Sequence, residues 1–287
     1  MGTKHVTRLD VEMKLEVNTE ESCSRMLQTI IQVLLFQRSQ IPFCYEVFKT
    51  IVNKLKVDMT AEDPLKWANY QLEKQRDLAI EMLHNIQILF KKLTEIVRHS
   101  EHDIQAMLLF GSTLYTVKEA FIINIPIVDR KHYPQNHRQG LDAAMKLLTR
   151  QIILSEDLRP SGRLVGPTNI FMVLGMPLLH ETEGLSRNCE YNLIEDYQLP
   201  INCLKYLINV NIRREGCEGL ACCKQMDVFN DSLQCLKIDD SGNNCGEILK
   251  TAGDLTKRDT MWYQIGKAFK GYNDVTIKGK SIWNAGL

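Results

Sequence analysis

The stretch Cys23–Val52, CSRMLQTIIQVLLFQRSQIPFCYEVFKTIV, constrains this chain more than any other. Met26, Leu27, Ile30, Ile31, Val33, Leu34, Leu35 and Phe36 are apolar, and only Gln28, Thr29 and Gln32 interrupt them before Gln37 and Arg38. A surface helix carries apolar residues at i, i+3, i+4 and i+7 and keeps a polar back. Here they exceed one stripe, which predicts a helix over 22–37 covered on most sides, by a sheet on one face and helices on another. The energetics demand such cover. Ordering a residue costs about 1–2 kcal/mol of backbone entropy, and an apolar side chain returns about 1.5–3 kcal/mol only when fully buried. Pro42 is expected to stop the helix, because the residue before a proline is pushed out of the α region.

Residues 1–21 are polar and read as a flexible arm, leaving 22–287 as the folded domain. Tyr45 to Leu55 reads as a short helix with Val47, Phe48, Ile51, Val52 and Leu55 on one side. Pro64 suits the first turn of a long helix, and Glu62 and Asp63 favour its positive end. Its stripe runs from Leu65 and Leu72 through Ala79, Met82, Leu83, Ile86, Leu89, Phe90, Leu93 and Ile96 to Val97. The spacing fits either a coiled coil or a helix lying across a sheet, and the absence of flanking repeats favours the sheet. Ile104–Phe110 and Leu114–Ile125 read as paired strands with Gly111 in the turn, and Asp142–Leu154 as a helix. Leu164–Leu174, Leu204–Ile212 and Thr260–Phe269 read as further strands, and 213–256 as a long loop insertion. Helices first and strands later predict an α+β domain, three main helices on one face of a mainly antiparallel sheet.

Thirty-five basic residues balance thirty-five acidic ones, which disfavours a nucleic-acid binder relying on phosphate neutralisation. No apolar run is long enough for a membrane helix, and the first residues lack an apolar signal core. Gly2 is followed by Val at position 6, a poor myristoylation pattern. Nine cysteines without an export signal read as reduced thiols of cytosol or nucleus. Five lie between Cys217 and Cys245, but no Cys-x-x-Cys pair occurs and no histidine follows His180, so ordinary thiols are favoured over zinc. The seven histidines show no nucleophile or metal spacing, and His99 and His102 read as a solvated helix end. With no phosphate-binding glycine loop, no catalysis, cofactor or metal is expected.

Phe36-Gln37-Arg38, Gln40, Pro42 and Tyr45-Glu46 resemble the end of the first helix of HORMA domains. The similarity continues in order through Lys118-Glu119 and Phe121, Arg187-Asn188-Cys189, Tyr197 with Pro200, Trp262-Tyr263-Gln264 and Ala268-Phe269-Lys270-Gly271-Tyr272. The resemblance implies a HORMA-like fold whose C-terminal, safety-belt-like segment wraps the core. It also implies the role of the family's checkpoint adaptors. These bind the closed form of the spindle-checkpoint HORMA protein and present it to an AAA+ remodelling ATPase. The mitotic checkpoint complex is then disassembled and the checkpoint silenced, in nucleus and cytoplasm and at the kinetochore.

Carried onto this chain, the partner contact falls on Phe36, Gln37 and Arg38 of the first helix and on Leu148, Thr149, Arg150, Ile152 and Ile153 of the third. The family's aromatic anchor is missing there. Thr149 or, one residue on, Arg150 takes its place, and either Ile152 or Ile153 supplies the apolar contact or this interface is built differently. The ATPase contact falls on Glu195, Asp196 and Tyr197, where acidic residues replace the family's basic patch. Ala268, Phe269, Lys270, Gly271 and Tyr272 are placed to fill the chain's own peptide site. The other expectation is a peptide-trapping HORMA protein with a mobile belt and a different partner.

Overall fold

The structure is a computed structural model that describes residues 6–58, 70–100, 104–126, 128–130, 132–160, 166–177, 191–214, 260–273, 276–277 and 280–281. Among these residues, four α-helices and ten strands follow in the order β1 Val6–Leu15, α1 Glu20–Gln37, α2 Tyr45–Asp58, α3 Tyr70–His99, β2 Ile104–Gly111, β3 Val117–Ile125, α4 Leu141–Leu154, β4 Asn169–Pro177, β5 Tyr191–Ile194, β6 Leu204–Arg214, β7 Thr260–Ile265, β8 Phe269–Lys270, β9 Thr276–Ile277 and β10 Lys280–Ser281. The class is α+β, with one large mixed sheet ordered β1-β6-β3-β2-β4-β7-β5 and with β8 also on β4; β9 and β10 pair separately.

Helix α1 is buried as its composition demands. It packs against α3, α4, α2 and β3, and Met26, Leu27, Ile30, Ile31, Leu34 and Leu35 are all closed to solvent. Thr19 caps its start, its side-chain oxygen accepting from the Ser22 N–H at 3.2 Å. The helix ends before Pro42 acts. Ser39 takes a left-handed conformation at φ 53°, its N–H donates to the Phe36 carbonyl at 3.0 Å, and Gln40 N–H donates to Leu35 at 2.8 Å. These two bonds are a Schellman closure that consumes the orphan carbonyls of the last turn.

Two expectations change, on residues 6–15 and on the last strand. Residues 6–15 are not an arm but an edge strand that runs parallel to β6 from Val6↔Lys205 to Leu15↔Arg214. Val11, Met13 and Leu15 point into the core while Arg8, Asp10, Glu12 and Lys14 alternate outward, a period of two that the charges disguise. The sheet is mainly antiparallel, as expected, and the exception is β6, which is parallel to both β1 and β3. Helix α3 packs on α1 and α2 and meets the sheet at β8, its apolar stripe sharing one core with β4 and β7. The strand expected over 260–269 breaks at Gly266, φ 69°. Its two parts, β7 and β8, lie along the same edge of β4.

The β2–β3 turn is tight enough to need its glycine. A Cβ on Gly111 would stand 2.6 Å from the Thr116 carbonyl oxygen and from Val117 Cα. Thr113 and Thr116 close the turn reciprocally, each accepting at Oγ1 from the other's N–H at 3.0–3.1 Å. Strand β6 continues to Arg214, two residues into the expected insertion. The rest of that insertion, including Cys217 to Cys245, lies outside the described residues, as do residues 64–69, Leu164, Val165 and His102. So does the matched run Arg187-Asn188-Cys189.

Candidate partner-binding face and tail clamp

Helix α4 has two unlike sides. Leu141, Ala144, Met145, Leu148 and Ile152 are buried, at the i, i+3/i+4 spacing of a core-facing stripe. Lys146, Leu147, Arg150, Ile153 and Leu154 face outward. Ile153 is 50% and Leu154 66% exposed, and Phe36 at the end of α1 is 43% exposed. The two helix ends are joined where the Gln37 side-chain amide donates to the Ile152 carbonyl at 3.4 Å. On α4, therefore, the outward side offers Leu147, Arg150, Ile153 and Leu154, with Thr149 half-buried at its margin.

Three expected contacts are corrected. Leu148 and Ile152 are core residues with no exposed surface. Arg38 points inward and is 2% exposed. Its Nε donates to Glu119 Oε2 at 2.6 Å and its Nη1 to the Leu158 carbonyl at 2.9 Å. The guanidinium carbon stands 4.9 Å from the Phe121 ring centroid and 5.4 Å from that of Tyr206. Those two rings stack on each other 4.7 Å apart. The ring faces attract the charge that Glu119 neutralises, so Arg38 ties α1 to the sheet.

Gln40, closed to solvent, holds the C-terminal segment. Its side-chain Nε2 donates to the Arg38 carbonyl at 2.7 Å and the Gly166 carbonyl at 3.3 Å, and its Oε1 accepts from Thr168 N–H at 2.8 Å. Its own carbonyl accepts from Tyr272 N–H at 2.8 Å, while Gly271 N–H donates to Thr168 at 2.9 Å. A Cβ on Gly271 would come within 2.4 Å of Gln40 Oε1, so only glycine passes. Phe269 and Lys270 pair with Ile170 and Asn169. Tyr272 is buried, its ring 6.3 Å from that of Phe48, and Ala268 is exposed. Gln40 stands out in the sequence only as part of the FQRSQIP run, where nothing marks it as the clamp.

Glu195 and Asp196 are exposed just after β5, Asp196 at φ 49°. Tyr197 is corrected: it is buried, and its hydroxyl donates to the Leu114 carbonyl at 3.0 Å. Burial, then Cys203 and Tyr115, push its phenol up to about 12. Its ring belongs to a second apolar cluster on the opposite sheet face with Met107, Leu109, Phe171, Val173 and Cys203. Of the described cysteines, Cys23 and Cys203 are buried and Cys44 is exposed. No described helix is long and apolar enough to cross a membrane. No protein-family model matches the chain, and no curated protein matches it.

Proposed function

We propose that this chain is a HORMA-like adaptor of the comet type. It binds the closed form of a spindle-checkpoint HORMA protein and presents it to an AAA+ remodelling ATPase. It performs no catalysis, promotes disassembly of the mitotic checkpoint complex, and works in nucleus and cytoplasm and at the spindle. The observation that carries this reading is the uncovered apolar surface at the ends of α1 and α4, where Phe36, Ile153 and Leu154 remain exposed. Binding energy concentrates in a few large residues of this kind. Gln37, Thr149 and Arg150 border them, and Glu195 and Asp196 remain as the ATPase contact. The tail's hold on β4 and Gln40 supports a self-filled site over a peptide-trapping belt.

An adaptor of this kind acts by differential affinity, because a ligand shifts a two-state partner only by the difference in its affinity for the two states. Calorimetry against separately prepared open and closed checkpoint HORMA protein tests this directly. Tight binding to the closed form alone is expected, weakened about 10–100-fold by Phe36→Asp or Ile153→Asp. Gln37→Ala is expected to weaken it less, since its amide already serves Ile152. Melting curves of Phe36→Asp and Ile153→Asp should stay near that of the parent, because both side chains are exposed. Equal binding to both forms, or none, overturns the reading.

A further inference from the structure

Strand β1 ends the large sheet on its side, and its outer edge is guarded at Glu12. Gln151 of α4 binds the Glu12 N–H at 3.3 Å and its carbonyl at 2.9 Å. A strand residue aims its N–H and carbonyl to one side, and its neighbours aim theirs to the other. The even-numbered residues of β1 therefore turn their backbone groups away from β6. Arg8 and Asp10 do so, and among the described residues nothing caps those groups. Their side chains share the exposed face of the strand. Asp10 Oδ1 accepts from Arg8 Nε at 3.3 Å and from Asn209 Nδ2 at 2.7 Å, which leaves Oδ2 without a partner among the described residues. On the other face Leu9 lines an open groove with Leu147, Arg150 and Leu154 of α4, and both of those leucines are exposed.

We propose that two copies of this chain join through their β1 edges, antiparallel about a two-fold axis at Leu9, so that one sheet runs across both. Arg8 then stands opposite Asp10 of the second copy, and Asp10 opposite Arg8 of the second copy. Both pairs exchange two backbone hydrogen bonds and carry opposite charges. An axis at Arg8 or at Asp10 would set like charges face to face, which is unfavourable. The edge thus carries its own complement, which favours a second copy over a foreign strand. Leu9 meets its counterpart in a pair without hydrogen bonds, where side chains stand closest, and the added strand covers the groove beside Leu147 and Leu154. Helix α4 reaches the edge at Glu12, on one side of the axis, and the symmetry sets the second α4 on the other side. Gln151 also ends the pairing, because it occupies the groups of Glu12 that a longer ladder would use. A ladder this short makes a reversible dimer rather than an obligate one.

The test is sedimentation velocity of the full chain over a wide concentration range, with a reversible dimer expected for the parent. Arg8→Asp sets acidic residues opposite acidic ones at both pairs, and Asp10→Arg sets basic opposite basic. Each alone should weaken the dimer at least about tenfold. Mixing the two variants in equal amounts should restore it, because acidic residues of one then face basic residues of the other at both pairs. The Arg8–Asp10 contact within one chain is a surface pair worth little, so both variants are expected to fold, and melting curves check this. If either does not, Arg8→Pro replaces it. Proline is tolerated at an edge position whose N–H faces solvent, and it removes a donor that only the second copy would use, so its dimer should be lost. Phe36→Asp should leave the dimer intact, which separates this edge from the face proposed above for the checkpoint protein. A parent that stays monomeric, charge variants that dimerise as the parent does, or a mixture that stays monomeric overturns the proposal, and so does loss of the dimer in Phe36→Asp.

Discussion

Arg38 changes meaning between sequence and structure. In the run Phe36-Gln37-Arg38 it resembles a surface contact, yet it lies inside against Glu119, with its Nη2 left without a hydrogen-bond partner among the described residues. A buried pair broken from one side leaves the other charge unpaired, at a cost of about 3–5 kcal/mol. Arg38→Met or Glu119→Met alone should therefore lower stability by about that amount in denaturant unfolding, and the double variant by clearly less than the sum. Additive losses would mean that the two side chains act separately. Cys23 gives a second test. Burial pushes its thiol from 9.0 to about 12, so the folded chain keeps a proton that the unfolded chain releases. Its contribution is complete below pH 9 and is lost as pH rises toward 12. Tyr197 adds a similar loss from about pH 10 upward. Cys23→Ala should remove the part of the alkaline slope that begins first, leaving the later part. An unchanged slope from pH 9 to 10 would exclude Cys23 as its source.

At the scale of elements, the helices are legible in the sequence and their ends less so. The apolar excess of α1 marks it as central because seven of its large side chains, all but Phe36, have no other way to leave water. Pro42 is the visible stop, whereas Ser39 in the left-handed region closes the helix three residues earlier. No propensity rule favours serine there. The strand after Gly162 begins only at Asn169, because Gly166 at φ 79° precedes it and Gln40 holds Thr168. The aromatic pattern reveals the tail but not its clamp, since a buried glutamine is written by tertiary contacts alone. Gly271→Ala tests the clamp. Its new Cβ collides with Gln40 Oε1, and overpacking of this kind costs about 1–3 kcal/mol. Faster hydrogen exchange at Gly271 and Tyr272 is expected with the helices still protected. Gly271→Ala combined with Gln40→Ala should recover little, because the second change also frees Thr168 and Gly166. Unaltered exchange would mean that the tail is held by β8 pairing alone.

Across the whole molecule, the first and the last strands of the large sheet join it at different places, β1 beside β6 and β7 with β8 beside β4. This arrangement is the least legible part. Parallel neighbours come from distant segments, and no local signal predicts that Val11 will lie opposite Val210. Charges at every second residue of β1 also give it the polarity of an arm, although its inward half is Val11, Met13 and Leu15. Strand β1 does two jobs. It adds three core side chains, each returning about 1.5–3 kcal/mol, and it covers the edge of β6. Its own edge is closed in part by Gln151 of α4, whose amide bonds the Glu12 carbonyl at 2.9 Å and N–H at 3.3 Å. Removing residues 1–15 therefore takes away a stabilisation comparable with the net about 5–15 kcal/mol of a domain and uncovers a long strand edge of the kind that templates aggregation. The truncated chain should melt far lower and associate on sizing columns. A synthetic peptide of residues 5–18, added in excess, should restore part of both properties, because the β6 edge and the underside of α4 are still shaped for it. Unchanged melting and a monodisperse truncated chain would return residues 1–15 to the status of an arm.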